Sequence, residues 1–460
     1  MKPKAHHTAH PTRRAAVQSG LATLALLVAP AALNACGSKK RRPPGSRGDT
    51  GTDIDTDIGT DSGTGTGTDT GTDTGNDMGT DTGNDTGQEP LPTVPKLRSL
   101  IDQIGPLGEA NADGVRLADG FSVRIVARSG EPVLPSGHTW HALPDGGATF
   151  PTLDGGWIYV SNSELPLAGG VGALRFSADG EVVNAYPILE GTNINCAGGP
   201  TPWGTWLSCE EIAEGRVFET DPWGEVEAVE RPALGRFKHE AAAVDPELGC
   251  VYLSEDESDG CLYRFESSAI DDNGHLSLTE GELQVAVVDD AGGVTWAPVP
   301  DPLAEGDDPT RRQVPEATAF NGGEGIWWFE GIVYMATKGD NRIWAYDTQN
   351  QTIRTVYDRA TTPDPDALYG VDNLTVSACG DVLVAEDGGN MRIVAILPAG
   401  EIKPLMQIEG QSGSEITGPA FDPSGTRLYF SSQRATGFLG GITYEITGPF
   451  HEPIPDDEEC

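Results

Sequence analysis

Residues 155–183 read GGWIYVSNSELPLAGGVGALRFSADGEVV. An aromatic-rich apolar run closes on an acid, a Gly-rich break follows, and then come a second strand, a tight turn and a third strand. Period-two alternation within each run, with turn residues between runs, marks short strands. The same order recurs at 203–229 (WGTWLSCEEIAEGRVFETDPWGEVEAV), 249–268 (GCVYLSEDESDGCLYRFESS), 331–358, 381–405 and 426–448. The leading strands return about every 48 residues, a fixed period of the kind that marks repeat architectures. One longer gap, between the third and fourth units, holds strands of its own and a Pro/Asp-rich loop. Six units of about four strands, each with aromatics, predict an all-β fold: a six-bladed β-propeller with insertions, over 93–450. A double β-sandwich would account for the strands but not for the period. Helical spacing is confined to LRSLIDQIGPLG at 97–108, where a helix is expected.

The flanks differ in composition. Residues 1–35 carry scattered bases, the pair Arg13-Arg14 after a Thr, the apolar run LATLALLVAPAAL and then LNAC. That order predicts a signal peptide of the twin-arginine type. LNAC resembles a lipoprotein box and marks Cys36 for lipidation; plain cleavage near Ala35 is the alternative. Residues 36–92 hold a basic patch, KKRRPPGSR, and a long Asp/Thr/Gly alternation with almost no apolar side chains. Such a stretch cannot offset the entropy of folding and is expected to be a disordered tether. Residues 451–460 are expected to be an acidic tail.

The formal net charge is −40. Nine bases precede residue 49, eleven acids lie in 49–89 and four in 456–459, which leaves −34 on 90–455. A body this acidic repels nucleic acid and anionic lipid, so no nucleic-acid partner is expected, and a membrane only through a lipid anchor. An anionic substrate could enter only where bound cations reverse the field. A monomer is expected. Of the seven cysteines, Cys250 and Cys261 flank one hairpin-like unit and are candidates for a disulfide.

The repeat brings its polar residues into register. The recurring strand ends in SNSE, SCEE, SEDE, ATKGD, AEDG and SSQ. In a propeller, corresponding ends stand at corresponding heights around the central channel. Asn162 and Glu164, Glu210 and Glu211, Glu255 and Asp256, Asp340, Glu386 and Asp387, and Gln433 would therefore converge at one mouth. His239 and Glu240, Glu324, Asp372 and Asn373, and Glu415 stand at the inlets of apolar strands and join them. So many carboxylates cannot all ionise in a dry cleft without cations. Hard oxygen donors in that number suit Ca²⁺, and a thiolate such as Cys196 among them would favour a transition metal.

INCAGGPTPWGTWLSCEE, GRFKHEAAAVDPELGCVYLSEDESDGCLYRF, VDNLTV…GDVLVAEDG and EITGPAFDPSGTRLYFSSQR…GGITYEITGPF, in this order, resemble the PhoX-type alkaline phosphatases. The resemblance implies a six-bladed propeller that hydrolyses phosphomonoesters outside the cytoplasm, with two ferric ions and several calcium ions in its channel. By the matching motifs it places Cys196 on iron with Glu211, Glu240 and Glu324, and leaves Cys209 as a buried strand residue. It also implies that the acids of SEDE, VDN, EDG and SEITG supply the remaining ligands: Glu255, Asp256, Asp372, Asn373, Glu386, Asp387 and Glu415. Many relatives carry Arg-Pro-Glu where this chain has Gly322-Gly323-Glu324. The phosphate-contacting arginine is therefore missing here, and Lys338, Arg392 or Arg434 could replace it. No Ser/His/Asp set with a nucleophile elbow is visible. Two other readings remain open from the residues: a calcium-dependent lactonase-type propeller, which needs no thiolate, and a non-catalytic surface-binding propeller.

Overall fold

The structure, a computed structural model, describes residues 95–455. The expected signal peptide, Cys36, the whole tether and residues 456–460 lie outside the described residues. Six antiparallel sheets follow one another along the chain. Their innermost strands are Pro144–Pro151, Asn195–Pro200, His239–Asp245, Gly323–Phe329, Val371–Val376 and Ile416–Phe421, here counted as blades one to six. Each inner strand packs against its neighbours in sequence order, and that of blade six returns to blade one. This closes a six-bladed propeller. Blade six takes its outer strand from the N-terminal side, Ser122–Arg128, which pairs with Ile442–Thr447.

The six blade interfaces hold six apolar clusters. Leu428, Phe430, Ile393 and Met406 fill the space between blades five and six, and Trp157, Phe176 and Tyr429 the space between six and one. Burying one such aromatic fully contributes about 1.5–3 kcal/mol. Strands near the axis are buried on both faces, as in His239–Asp245. Outer strands are largely open, as in Thr352–Asp358, where only Ile353 and Tyr357 are buried. The inner strands are rich in small residues because they approach one another backbone to backbone. A Cβ on Gly199 would lie 1.8 Å from the Ala242 oxygen, and one on Gly325 2.4 Å from the Leu374 nitrogen.

Three expectations change. The segment 97–108 is not a helix: Leu97–Ser99 is a strand paired with His451–Pro453, followed by a 3₁₀ turn at Ile101–Gln103. Leu97, Ile101 and Ile104 have helical spacing, and all three are buried. The edge pairing satisfies the backbone there, and Gly105-Pro106 leaves little length for a helix. Consequently residues 451–453 are part of the fold, not of a tail. Cys250 and Cys261 are both free thiols. Cys250 pairs with Glu266 at one end of its hairpin, and Cys261 precedes the strand that begins opposite Ser254 at the other. A disulfide needs Cα atoms within about 7 Å, which opposite ends of a hairpin cannot offer.

Candidate metal centre

Two devices, each repeated around the ring, build the site. The first is a β-bulge. Every inner strand carries one extra residue near its start, between Pro144 and Gly147, Asn195 and Gly198, His239 and Ala242, Gly323 and Ile326, Val371 and Leu374, and Thr417 and Ala420. A bulge leaves a residue outside the ladder and re-aims its side chain. In blades one to five the first extra residue is Asp145, Cys196, Glu240, Glu324 and Asp372. In blade six it is Gly418, and Glu415, three residues earlier, supplies the acid. The second device is the residue directly after each second strand: Glu164, Glu211, Asp256, Lys338, Asp387 and Gln433.

Together they bring nine anionic donors close enough for ion binding. Donor atoms of Glu164, Cys196 and Glu211 lie within 4.8 Å of one another, as do those of Asp145, Glu164 and Glu415, of Glu240, Glu324 and Asp372, and of Asp372, Asp387 and Glu415. Few cations oppose them. Lys338 Nζ stands 2.6 Å from Asp372, 3.1 Å from Glu324 and 3.2 Å from Asp387. Lys238 Nζ stands 2.8 Å from Glu211 and 2.6 Å from Asp256. Arg434 pairs with Glu415 at 2.7 Å, and the Gln433 amide donates to Glu164 at 2.8 Å and to Asp145.

The electrostatics follow from this shortage. Burial, then the neighbouring carboxylates, holds Asp145, Glu240, Glu324 and Glu415 well above the usual carboxylate range. Glu211 is pushed up to about 7, mainly by burial and against the pull of Lys238. Burial, with Asp145 and Glu240 adding to it, raises the Cys196 thiol well above its ordinary value. Its Sγ donates to Glu240 Oε1 at 3.1 Å, and the buried Glu240 Oε2 has no partner. An orphaned carboxylate oxygen inside a crowd of carboxylates is costly unless a cation takes it. The donor set therefore fits metal: three groups of carboxylates alone suit a hard ion, and the group with Cys196 suits an ion that accepts a thiolate. Beneath the cluster the axis narrows to a cavity of ≈ 20 Å³ lined by Gly147, Ala197, Ala241, Gly325 and Gly418.

Several expected residues stand elsewhere. Glu210, Glu255 and Glu386 each end a second strand and turn away from the axis, into arginines: Glu210 to Arg216 at 2.7 Å, Glu255 to Arg311 at 3.1 Å and Glu386 to Arg392 at 2.6 Å. Glu255 also accepts from the Tyr263 hydroxyl at 2.8 Å. Neither Glu255 nor Glu386 joins the cluster, and Arg392 donates to Glu386 and to the Asp366 carbonyl. Asn162 spends its whole amide on packing: it donates to the carbonyls of Cys196 and Ala197 and accepts from Trp206 and Ser208. It braces the bulge that carries Cys196. Asn373 likewise donates to Asp372 at 3.0 Å and accepts from the Gly418 amide at 2.9 Å. The His239 ring lies against Phe237 and faces the Gly235 carbonyl. Asp340 is held by Thr337 and Arg342. Cys209 is buried in the apolar cluster between blades two and three. Asp145 was not singled out from the sequence. Its signal was present, since PDGG opens the inner strand of blade one as HEAA opens that of blade three.

The chain matches the family model described as "Alkaline phosphatase PhoX" over residues 159–436. No curated protein matches it in sequence. Among solved structures it is similar to the PhoX of Pseudomonas fluorescens in complex with vanadate, a transition-state analogue. That match has a TM-score of 0.61 and 19% identity, and covers 77% of this chain and 98% of that one. A luciferin-regenerating enzyme matches with a TM-score of 0.42 at 12% identity, over 74% of this chain and 99% of that one. A gluconolactonase from Xanthomonas campestris matches with a TM-score of 0.40 at 14% identity, over 75% and 98%.

Proposed function

The chain belongs to the alkaline phosphatase PhoX family, and from that premise we propose that its metal-dependent hydrolysis of phosphomonoesters runs on iron and calcium held at the propeller axis. The observation that carries this reading is the donor set itself: eight carboxylates and one thiol in four tight groups, with a buried Glu240 oxygen left unpartnered. Iron falls to Cys196 with Glu211, Glu240 and Glu324, where Glu240 Oε1 lies 3.1 Å from the sulfur and Glu164 shares the thiol's group with Glu211, because a thiolate favours a softer ion. Calcium falls to the groups built on Asp145 and Glu415 and on Asp372 and Asp387. When bound, these ions polarise phosphoryl oxygens and stabilise charge on the leaving oxygen.

The chain's own part is to receive and orient the anion. Lys338 stands at the mouth with 36% of its side chain open, on the same blade as the Gly322-Gly323-Glu324 segment. It is assigned to the phosphoryl oxygens, as a donor that leaves its carboxylates once they are otherwise neutralised. Arg434 holds Glu415 with one guanidinium nitrogen and donates to the Gln433 amide oxygen with the other. The ≈ 20 Å³ cavity below the cluster is too small to take a phosphoryl group, which is therefore received on the mouth side. An acidic body that would repel a phosphoester thus admits it where the local field is reversed. Export by the twin-arginine route, lipidation at Cys36 and a monomeric state belong to the same proposal.

Elemental analysis after purification without chelator, beside a Cys196→Ala variant, tests it. Iron and calcium in the native chain, with iron reduced in the variant and phosphate released from an aryl phosphate only by the native form, is the expected result. Calcium alone, unchanged by the substitution, would remove iron from the site and return Cys196 to a packing role.

A further inference from the structure

Of the four acids that directly follow second strands, three belong to a group tight enough to hold an ion: Glu164, Glu211 and Asp387. Asp256, in blade three, belongs to none. It has Lys238 instead. This lysine is the residue before the inner strand of the same blade, and its ammonium lies 2.6 Å from Asp256 Oδ2 and 2.8 Å from Glu211 Oε1. The Asp256 amide donates to the Lys238 carbonyl at 3.2 Å, so the backbone holds the two residues side by side.

We propose that the Lys238 ammonium is a built-in substitute for a metal ion between blades two and three, so that Asp256 ligates no metal and Glu211 is aimed at the Cys196 group without one. An ammonium is a compact point charge with three donors on a flexible stem. Bridging carboxylate oxygens from two blades at these separations is the task calcium performs at about 2.3–2.6 Å. Lys338 differs in a way that decides between the two lysines. Each carboxylate it touches, Glu324, Asp372 and Asp387, belongs to a group tight enough for an ion, whereas Asp256 belongs to none and is bridged to Glu211 by Lys238.

This inference rests on the metal-dependent reading above. The test uses the full chain as wild type, Lys238→Met, Lys238→Arg and the double variant Lys238→Met with Asp256→Asn. Each is equilibrated with calcium and desalted. Calcium per chain is counted by elemental analysis, and Tm is measured in calcium and in chelator. Lys238→Met is expected to hold about one calcium more per chain than wild type, and the arginine and double variants no more. The Tm of Lys238→Met should fall further in chelator than that of wild type, and calcium should restore it. An unchanged count in Lys238→Met overturns the inference, as does a Lys238→Met protein that stays unfolded in calcium while Lys238→Arg folds. A wild type free of ions would sink the metal-dependent reading together with this one. A wild type rich in ions with no gain in Lys238→Met sinks this one alone.

Discussion

At the end of the second strand in blades two, three and five, two acids stand side by side: Glu210 with Glu211, Glu255 with Asp256, and Glu386 with Asp387. The first of each pair turns into its blade and meets an arginine. The second turns to the axis, where cations are few and shared. One row of carboxylates is thus neutralised by the fold, and the other is left for ions to neutralise. Side chains on successive strand residues point to opposite faces, so one peptide step is enough to separate the two roles. Composition alone cannot distinguish them. What distinguishes them is whether the neighbouring strand brings a guanidinium, as Arg216 and Arg392 do six residues on.

The contrast can be broken from either side. Glu324→Gln, in the axial row, should lower phosphatase activity by more than the roughly 10–100-fold that removing an outer partner of a metal ligand costs. The same substitution should leave Tm in chelator unchanged or raised, since a buried carboxyl that resists ionisation is replaced by a neutral amide; a lower Tm there would put Glu324 in the structural row. Glu386→Ala, in the arginine row, should cost about 3 kcal/mol in a urea titration, because Arg392 is left buried without its partner. Metal content should not change, and a loss of bound ions would place Glu386 at the site after all.

A smaller effect sharpens the comparison through pH. Burial raises both Glu211 and Glu255 from 4.5 to about 7, against Lys238 in one case and Tyr263 and Arg311 in the other. A carboxyl raised in this way keeps its proton in the folded chain while the unfolded chain has lost it. Its contribution is therefore fully present below about 4.5 and is lost as pH rises through about 7, on the order of 2–3 kcal/mol for each group. In chelator, Tm should fall between pH 5 and pH 8. Calcium and iron should remove the part of that fall that comes from Glu211 and leave the part from Glu255. A Tm that rose over this range in chelator would contradict the shortage of positive charge at the axis. The smallest effect concerns the cysteines. Cys250 and Cys261 are free thiols, so both should be alkylated when the unreduced chain is unfolded, and a protected pair would reveal a disulfide.

Much of this could be read from the chain. The period of about 48 residues sets the number of blades, because each sheet needs the same length to leave the axis and return. The acids at recurring strand ends and Cys196 in NCAGG were visible for the same reason, since repetition turns one-dimensional position into height around a ring. The segment 97–108 misled because burial of Leu97 and Ile101 gives the same spacing whether a helix or an edge strand with a turn presents them. The tertiary structure decided the rest. It decided that Glu386 is spent on Arg392 and Asn162 on the carbonyls of Cys196 and Ala197. It placed Asp145 at the axis by a bulge and set Lys238 against Asp256. These are matters of register and of partners distant in sequence. A strand's alternation says that two faces exist, but only the strand beside it determines which face looks at the axis.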